Sequence, residues 1–196
     1  GFLKGVTAML RPGDLALDCG ANVGGVSSLL ADTGADVISY EPDPYAFAQL
    51  SDALGDRQNV QLINAAVGAS SGNVRLMRAA NFDEDKKGAS VKSTIVDGGR
   101  MIAAENYVDV KLLDFLTILS GEIENRGEIA FVKMDIEGAE LELLEAMDAA
   151  DLIKDIRCLV VETHERKFAE LRPRFRALRE AFSEKYPKRQ VNLDWI

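Results

Sequence analysis

Leu15-Ala16-Leu17-Asp18-Cys19-Gly20-Ala21-Asn22-Val23-Gly24-Gly25 is the stretch that decides the fold. A short apolar run ends in an acidic residue and a glycine-rich turn. Val23, Val26, Leu29 and Leu30 then follow at helical spacing. Strand, glycine turn and helix in that order open a βαβ unit, the repeat of a parallel α/β sheet. Gly34 is expected to stop the helix.

The same alternation continues outward. Val37 to Tyr40 reads as a second strand ending in Glu41-Pro42, with a helix over about 44–54 behind it. Val60 to Val67 reads as a third strand closed by Gly68, and Val74 to Met77 and Val108 to Lys111 as two more. A short helix is expected around 112–120. Residues 81–100 lack periodicity, and a loop of that length is usually functional. Ile129 to Met134 is a strand ending at Asp135, with Ile136, Leu143, Leu144 and Met147 as the buried stripe of the next helix. Ile156 to Val161 leads into Glu162-Thr163-His164-Glu165. Phe168, Leu171, Phe175, Leu178 and Phe182 mark a last helix that Pro173 either starts or kinks. Val191 to Ile196 closes as an edge strand.

The 196 residues fit one domain spanning 1–196, with a cofactor half over about 14–80 and an acceptor side over about 81–196. Apolar residues make up 47% and charged residues 28%, which excludes disordered and fibrous classes. No apolar run approaches a membrane span, so no transmembrane segment is expected. Two cysteines, Cys19 and Cys158, build no disulfide framework, and a cytoplasmic setting is the default. With 23 basic against 32 acidic residues the net charge is −9, which argues against nucleic acid as a partner. That charge is uneven. Residues 166–189 hold nine Lys/Arg and three Asp/Glu, a local +6, leaving −15 for the rest.

Part of the −15 falls in one place. Asp18, Glu41, Asp135 and Glu162 each follow an apolar strand, and strand C-terminal ends line the ligand crevice of an open parallel sheet. The Asp18–Gly25 turn compares with the dinucleotide fingerprint G-x-G-x-x-G. Gly20 and Gly25 fill its outer positions, but Asn22 replaces the middle glycine that lets a pyrophosphate approach the backbone. Glu41 stands 21 residues after Gly20, where a ribose-binding carboxylate is expected. A ligand with a ribose, no phosphate and positive charge suits such a turn, and S-adenosylmethionine has that description. An acidic rim attracts it and repels NAD.

Four segments in order carry a resemblance: Asp18 to Gly24, Tyr40-Glu41-Pro42-Asp43-Pro44, Asn64-Ala65-Ala66-Val67-Gly68, and Lys133 to Glu140. Together they resemble the FkbM family of class I methyltransferases, over about residues 14–165. The resemblance implies a Rossmann-like class I methyltransferase fold, with a central, mostly parallel sheet flanked by helices. It also implies S-adenosylmethionine as cofactor and methyl transfer to a hydroxyl, on a small-molecule or carbohydrate acceptor. By position, Asp18, Gly20, Ala21, Asn22 and Gly24 pack against the methionine half and ribose. Glu41 holds the ribose hydroxyls, and Pro42 beside it is a further cofactor-binding residue. Asn64, Ala65 and Ala66 lie near adenine, and Asp135 faces the methionine ammonium or the acceptor. The chain departs from the family after His164, where a long helix and a short tail replace the usual closing strands.

A hydroxyl acceptor benefits from a base that takes its proton. Asp135 and His164, the lone histidine, are the candidates, and Ser90, Ser93 and Thr94 are expected as acceptor contacts. Plainer readings stand beside these. Asp18, Asp43 and Asp135 also suit helix N-caps. His164 suits a structural hydrogen bond. Glu137, Glu140, Glu162, His164 and Glu165 suit solvated charge and internal pairing, so no metal site is expected. The basic last helix suits a solvated face. A methyltransferase-like module that binds without catalysis stays open, and a Rossmann-type dehydrogenase is disfavoured by Asn22 and the acidic rim.

Overall fold

The computed structural model describes residues 2–79, 81–82, 90, 93–96 and 102–194. Most of the aperiodic 81–100 segment lies outside the described residues. An opening helix α1 (Phe2–Met9) precedes β1 (Leu15–Cys19), α2 (Gly25–Ala31), β2 (Asp36–Tyr40), α3 (Pro44–Leu54) and β3 (Val60–Ile63). The strands β4 (Ala66–Gly68), β5 (Gly72–Ala79) and β6 (Ile102–Asp114) follow. The chain then runs through α4 (Phe115–Arg126), β7 (Phe131–Met134), α5 (Glu140–Ala149), β8 (Leu159–Val161), α6 (Arg172–Lys185) and β9 (Val191–Asn192). No helix among the described residues is long and apolar enough to cross a membrane.

Six strands form one sheet in the order β3-β2-β1-β7-β8-β9, and every neighbouring pair is parallel. The chain winds one way from β1 to β3 and the other way from β7 to β9. The switch point therefore lies between β1 and β7, where open α/β sheets place their crevice. Both strands are buried along their whole length, as central parallel strands require. Leu15, Leu17, Val132, Met134, Leu144, Phe175 and Phe182 belong to the core cluster that helices α4 to α6 cover on one face. Val6, Leu10, Leu30, Phe131 and Val160 form the smaller cluster under α1 and α2 on the other.

Five expectations change, one being that half-buried Ile136 lies ahead of α5 and not on its buried stripe. Val60–Val67 is not one strand. The Ala65 N–H turns back onto the Ile63 carbonyl at 3.0 Å, ending β3. β4 then joins a separate three-stranded sheet in the order β4-β6-β5. Helix α2 begins at Gly25 and buries Ser27, Leu30 and Ala31, while Val23 and Leu29 are exposed. Ser27 faces inward because its hydroxyl donates to buried Asp18 at 2.6 Å. Phe168 is buried but precedes α6, which Pro173 starts rather than kinks. Of the closing strand, Val191–Asn192 pair with β8 and Asp194 bridges to Glu162, while 195–196 lie outside the described residues. The basic residues of α6 largely find acids on their own chain: Arg174 meets Glu145 at 2.5 Å, Lys185 meets Asp148 at 2.7 Å and Arg179 meets Asp194 at 2.7 Å. Cys19 on β1 and Cys158 just before β8 are both free, with β7 between their strands.

Candidate functional site

A cavity of about 500 Å³ opens at the strand ends, centred on the β1–β7 switch point. Eight of the residues expected at the site line it: Gly20, Ala21, Asn22, Glu41, Pro42, Ala65, Ala66 and Asp135. Ser90, Ser93 and the rim residue Glu162 also line it. Asp18, Gly24, Asn64, Thr94 and His164 do not; Gly24 is the left-handed N-cap of α2, at φ +88°, and each of the others has another place.

The floor is backbone tied to backbone. The N–H groups of Gly20 and Ala21 both donate to the Tyr40 carbonyl at 3.0 Å, and the Asp135 N–H donates to the Cys19 carbonyl at 3.0 Å. Gly20 has φ +81°, and a Cβ there stands 1.8 Å from the Asp135 carbonyl oxygen. Glycine is required by that crossing of the two strand ends. Asn22 takes φ +49°, a left-handed conformation that Asn tolerates better than most side chains.

Glu41 follows β2 and is 6% exposed. One carboxylate oxygen accepts the Asn22 N–H and the other the Asp43 N–H, each at 2.8 Å. A carboxylate has about four lone-pair directions, so two remain after these bonds. Burial pushes its pKa up to about 7 against the pull of the two N–H donors. Asn64 lies behind it and donates from Nδ2 to the Glu41 carbonyl at 2.7 Å and the Pro42 carbonyl at 3.2 Å. Asp43, the next acid, is the N-cap of α3, accepting from the Tyr45 N–H at 2.8 Å and pairing with Arg78 at 2.9 Å.

Asp18 sits under the cavity, fully buried. Its Oδ2 accepts from Ser27 and its Oδ1 stands 3.1 Å from Lys133 Nζ. Lys133 is the functional residue that sequence reasoning missed. It comes from the interior of β7, is 4% exposed and lines the cavity. Its Nζ donates to the Gly20 carbonyl at 2.8 Å and lies 3.5 Å from Asp135 Oδ2, so one ammonium ties the glycine turn to β7. Burial opposes its charge, but Asp18 and Asp135 hold its pKa above the ordinary value. A lysine inside a strand that is otherwise apolar was the available signal.

The β7 and β8 ends carry a denser set. Burial raises the Asp135 pKa, and burial together with Asp135 raises that of Glu162. Glu140, the first residue of α5, is fully buried, and its two oxygens accept the Ile136 and Gly138 N–H groups at 2.9 Å each. It caps the turn from inside, so Asp135 is not the N-cap. His164 stands behind the wall, with Nδ1 2.9 Å from Glu140 Oε1. Its Nε2 faces Glu137 at 3.5 Å and Asp135 and Glu162 at 3.8 Å. Burial disfavours the charged ring, yet Glu137 and Glu140 lift its pKa to about 11. Thr94 reaches this region by donating from Oγ1 to the Glu137 carbonyl at 2.6 Å.

Chemically, the wall offers hydrogen-bond acceptors and negative charge. Lys133 is its one basic lining residue among the described residues, and that lysine is already paired. Known proteins agree with the geometry. The family model described as the Methyltransferase FkbM domain matches residues 18–188. Hexuronic acid methyltransferase AglP of Haloferax volcanii is 28% identical over 154 residues, covering 77% of this chain and 56% of that protein. The 31-O-demethyl-FK506 methyltransferase FkbM of Streptomyces tacrolimicus is 28% identical over 176 residues, covering 80% of this chain and 67% of that protein. The chain thus spans little more than half the length of the first of these relatives. Among solved structures, precorrin-6y C5,15-methyltransferase from Geobacter metallireducens overlaps 90% of this chain and 67% of its own, at 12% identity and a TM-score of 0.43. With its strand order and the match over residues 18–188, the chain belongs to the FkbM methyltransferase domain family.

Proposed function

We propose that the chain is an S-adenosylmethionine-dependent methyltransferase that modifies a hydroxyl on a small molecule or sugar-containing metabolite. Glu41 carries this reading: a buried carboxylate on the cavity wall, fixed by two backbone N–H groups and with lone pairs to spare for two ribose hydroxyls. The cavity fits the cofactor in charge as well as in place. An acidic wall favours a sulfonium and an ammonium and disfavours phosphates. The two relatives are named for methylation of a hexuronic acid and of 31-O-demethyl-FK506, which supports a hydroxylated acceptor.

When bound, S-adenosylmethionine supplies a methyl group already activated on sulfur. The protein's task is then positioning and exclusion of water. Gly20, Ala21 and Asn22 shape the floor under the ribose and methionine half. Ala65, Ala66 and Leu76 form an apolar wall for the adenine. Asp135 stands on the wall beside Glu162 and is placed to receive the proton of an acceptor hydroxyl, while Ser90 and Ser93 line the acceptor side. Lys133 positions Asp135 from behind.

Calorimetric titration tests the cofactor. S-adenosylmethionine and S-adenosylhomocysteine are expected to bind and NADH is not. An absence of heat with the first two at millimolar concentration sinks the proposal. Binding with no methyl transfer over a broad panel of hydroxyl acceptors would keep the cofactor and reject the reaction.

A further inference from the structure

The β7 and β8 ends hold more negative charge than methyl transfer uses. Asp18, Asp135, Glu137, Glu140 and Glu162 share one network with only Lys133 and Lys167 among them as permanent cations. His164 is at the centre. Glu140 Oε1 already accepts the Ile136 N–H and is an acceptor when ionised, so His164 Nδ1 carries a hydrogen and donates to it. Nε2 therefore faces Asp135 and Glu162, and the second ring proton it carries beside Glu137 is the one a bound cation has to displace.

Nε2 lies 3.8 Å from Asp135 Oδ1 and 3.8 Å from Glu162 Oε1, too far for hydrogen bonds. One ligand atom from each of the three residues falls within 4.8 Å of the others. Ligands about 2.1 Å from one ion stand about 3.0–3.5 Å apart, so the His164 pairs have to close by under ~1 Å and the widest pair by up to ~1.8 Å. A buried carboxylate on the far ring nitrogen is the usual support of a metal-binding histidine. A separate observation points to the same space. Ser93 lines the cavity with Asp135 and Glu162, is 9% exposed, and its Oγ has no hydrogen-bond partner among the described residues. Its neighbour Thr94 is anchored on the Glu137 carbonyl, which holds this segment against the β7 end of the cavity.

We propose that Asp135, Glu162 and His164 form the protein side of a divalent cation site, open toward the cavity, suited to Mg²⁺ or Mn²⁺. Two hard carboxylate oxygens with one imidazole nitrogen select that class over ions that seek thiolates. The site stands on these residues alone. Its role rests on the reading above: a cation here takes the acceptor hydroxyl as a further ligand, and shares with Asp135 the work of making it an oxyanion. The rival partner for Nε2 is Glu137 Oε1 at 3.5 Å, whose other oxygen is held by Lys167 at 2.8 Å.

His164 is the only histidine in the 196 residues, so imidazole nuclear magnetic resonance signals belong to it alone. The chain is stripped with a chelator and titrated with Mn²⁺. The expected result is saturable broadening of the ring signals, one Mn²⁺ per chain by electron paramagnetic resonance, and reversal by excess Mg²⁺. Glu162→Gln is expected to weaken Mn²⁺ binding at least tenfold, and Glu145→Gln on the outer face of α5 not to. Ring signals unmoved at millimolar Mn²⁺, or broadened alike in the Glu162→Gln protein, overturn the site and assign Nε2 to Glu137. Calorimetry of S-adenosylmethionine on the stripped protein is read separately. Cofactor binding without a metal response rejects the cation alone, and a metal response without cofactor binding rejects only the methyltransferase reading.

Discussion

The two rims of the cavity are built by different means. At the β1–β2 rim a single carboxylate, Glu41, is held by backbone: the Asn22 and Asp43 N–H groups fix its oxygens, and Gly20 and Ala21 hang from the Tyr40 carbonyl. At the β7–β8 rim Glu140 is held by backbone in the same way, but Asp135, Glu137, Glu162 and His164 face one another as charged side chains. Backbone-held geometry depends on turn conformation and tolerates few substitutions. Side-chain networks depend on charge balance, and one altered charge propagates through them. The first rim suits a ligand whose shape is constant. The second can change its charge without disturbing the turn.

The largest effect is expected where the rims meet. Gly20→Ala forces an L side chain to φ +81° and places its Cβ 1.8 Å from the Asp135 carbonyl, which is backbone and cannot turn aside. Conformational strain and overpacking together predict a loss of about 4 kcal/mol, a large part of the stability of a domain this size. Urea unfolding measures it. A midpoint close to that of the unsubstituted protein would show that the two rims are not locked at this crossing.

Next is Glu41 itself. Glu41→Ala removes the proposed ribose acceptor and strands two N–H groups, so cofactor affinity is expected to fall by about 1.5–3 kcal/mol in calorimetry. The pH dependence sharpens the assignment. Burial holds the carboxyl at about 7 in the free protein, whereas ribose hydroxyls donate to its ionised form. Binding therefore pulls the pKa down and releases protons near neutrality. Affinity is expected to fall as pH drops from about 8 to about 6, and the Glu41→Ala protein is expected to lose that slope. An unchanged slope in the variant would assign the titration to another group.

The difference between the rims also explains what the sequence could tell. The β1–β2 rim was legible because turn chemistry is local: Gly20, Asn22 and Glu41 act through backbone within one βαβ unit, and their spacing carries the geometry. Asp18 was legible as a strand-end acid but not as a buried one. Its exposure depends on Ser27 and Lys133, the latter 115 positions along the chain, reaching it from β7. Lys133 is marked locally as a lysine inside an apolar strand, but the partner that balances its charge comes from β1 and is not marked at all. His164 was found as the lone histidine, yet its surroundings come from α5 and β7 as well as β8, and periodicity does not report such convergence. The split of Val60–Val67 escaped for a related reason. Its apolar run is continuous, and only the turn of Ala65 onto Ile63 sends its second half to another sheet.

Asn64 gives the smallest effect and the finest test of backbone control. It does not line the cavity, and its side chain touches only the Glu41 and Pro42 carbonyls, at 2.7 and 3.2 Å. The residue is exposed, so water replaces the lost donor in Asn64→Ala and stability is expected to change by about 1 kcal/mol or less. If the Glu41 carboxylate is placed by its two N–H donors alone, cofactor affinity stays within roughly fivefold of the unsubstituted protein, and the pH slope persists. A loss as large as that of Glu41→Ala would move the anchoring of the ribose site from the Asn22 and Asp43 amides to the peptide Asn64 holds. The β1–β2 rim would then depend on a side chain after all, as the β7–β8 rim does.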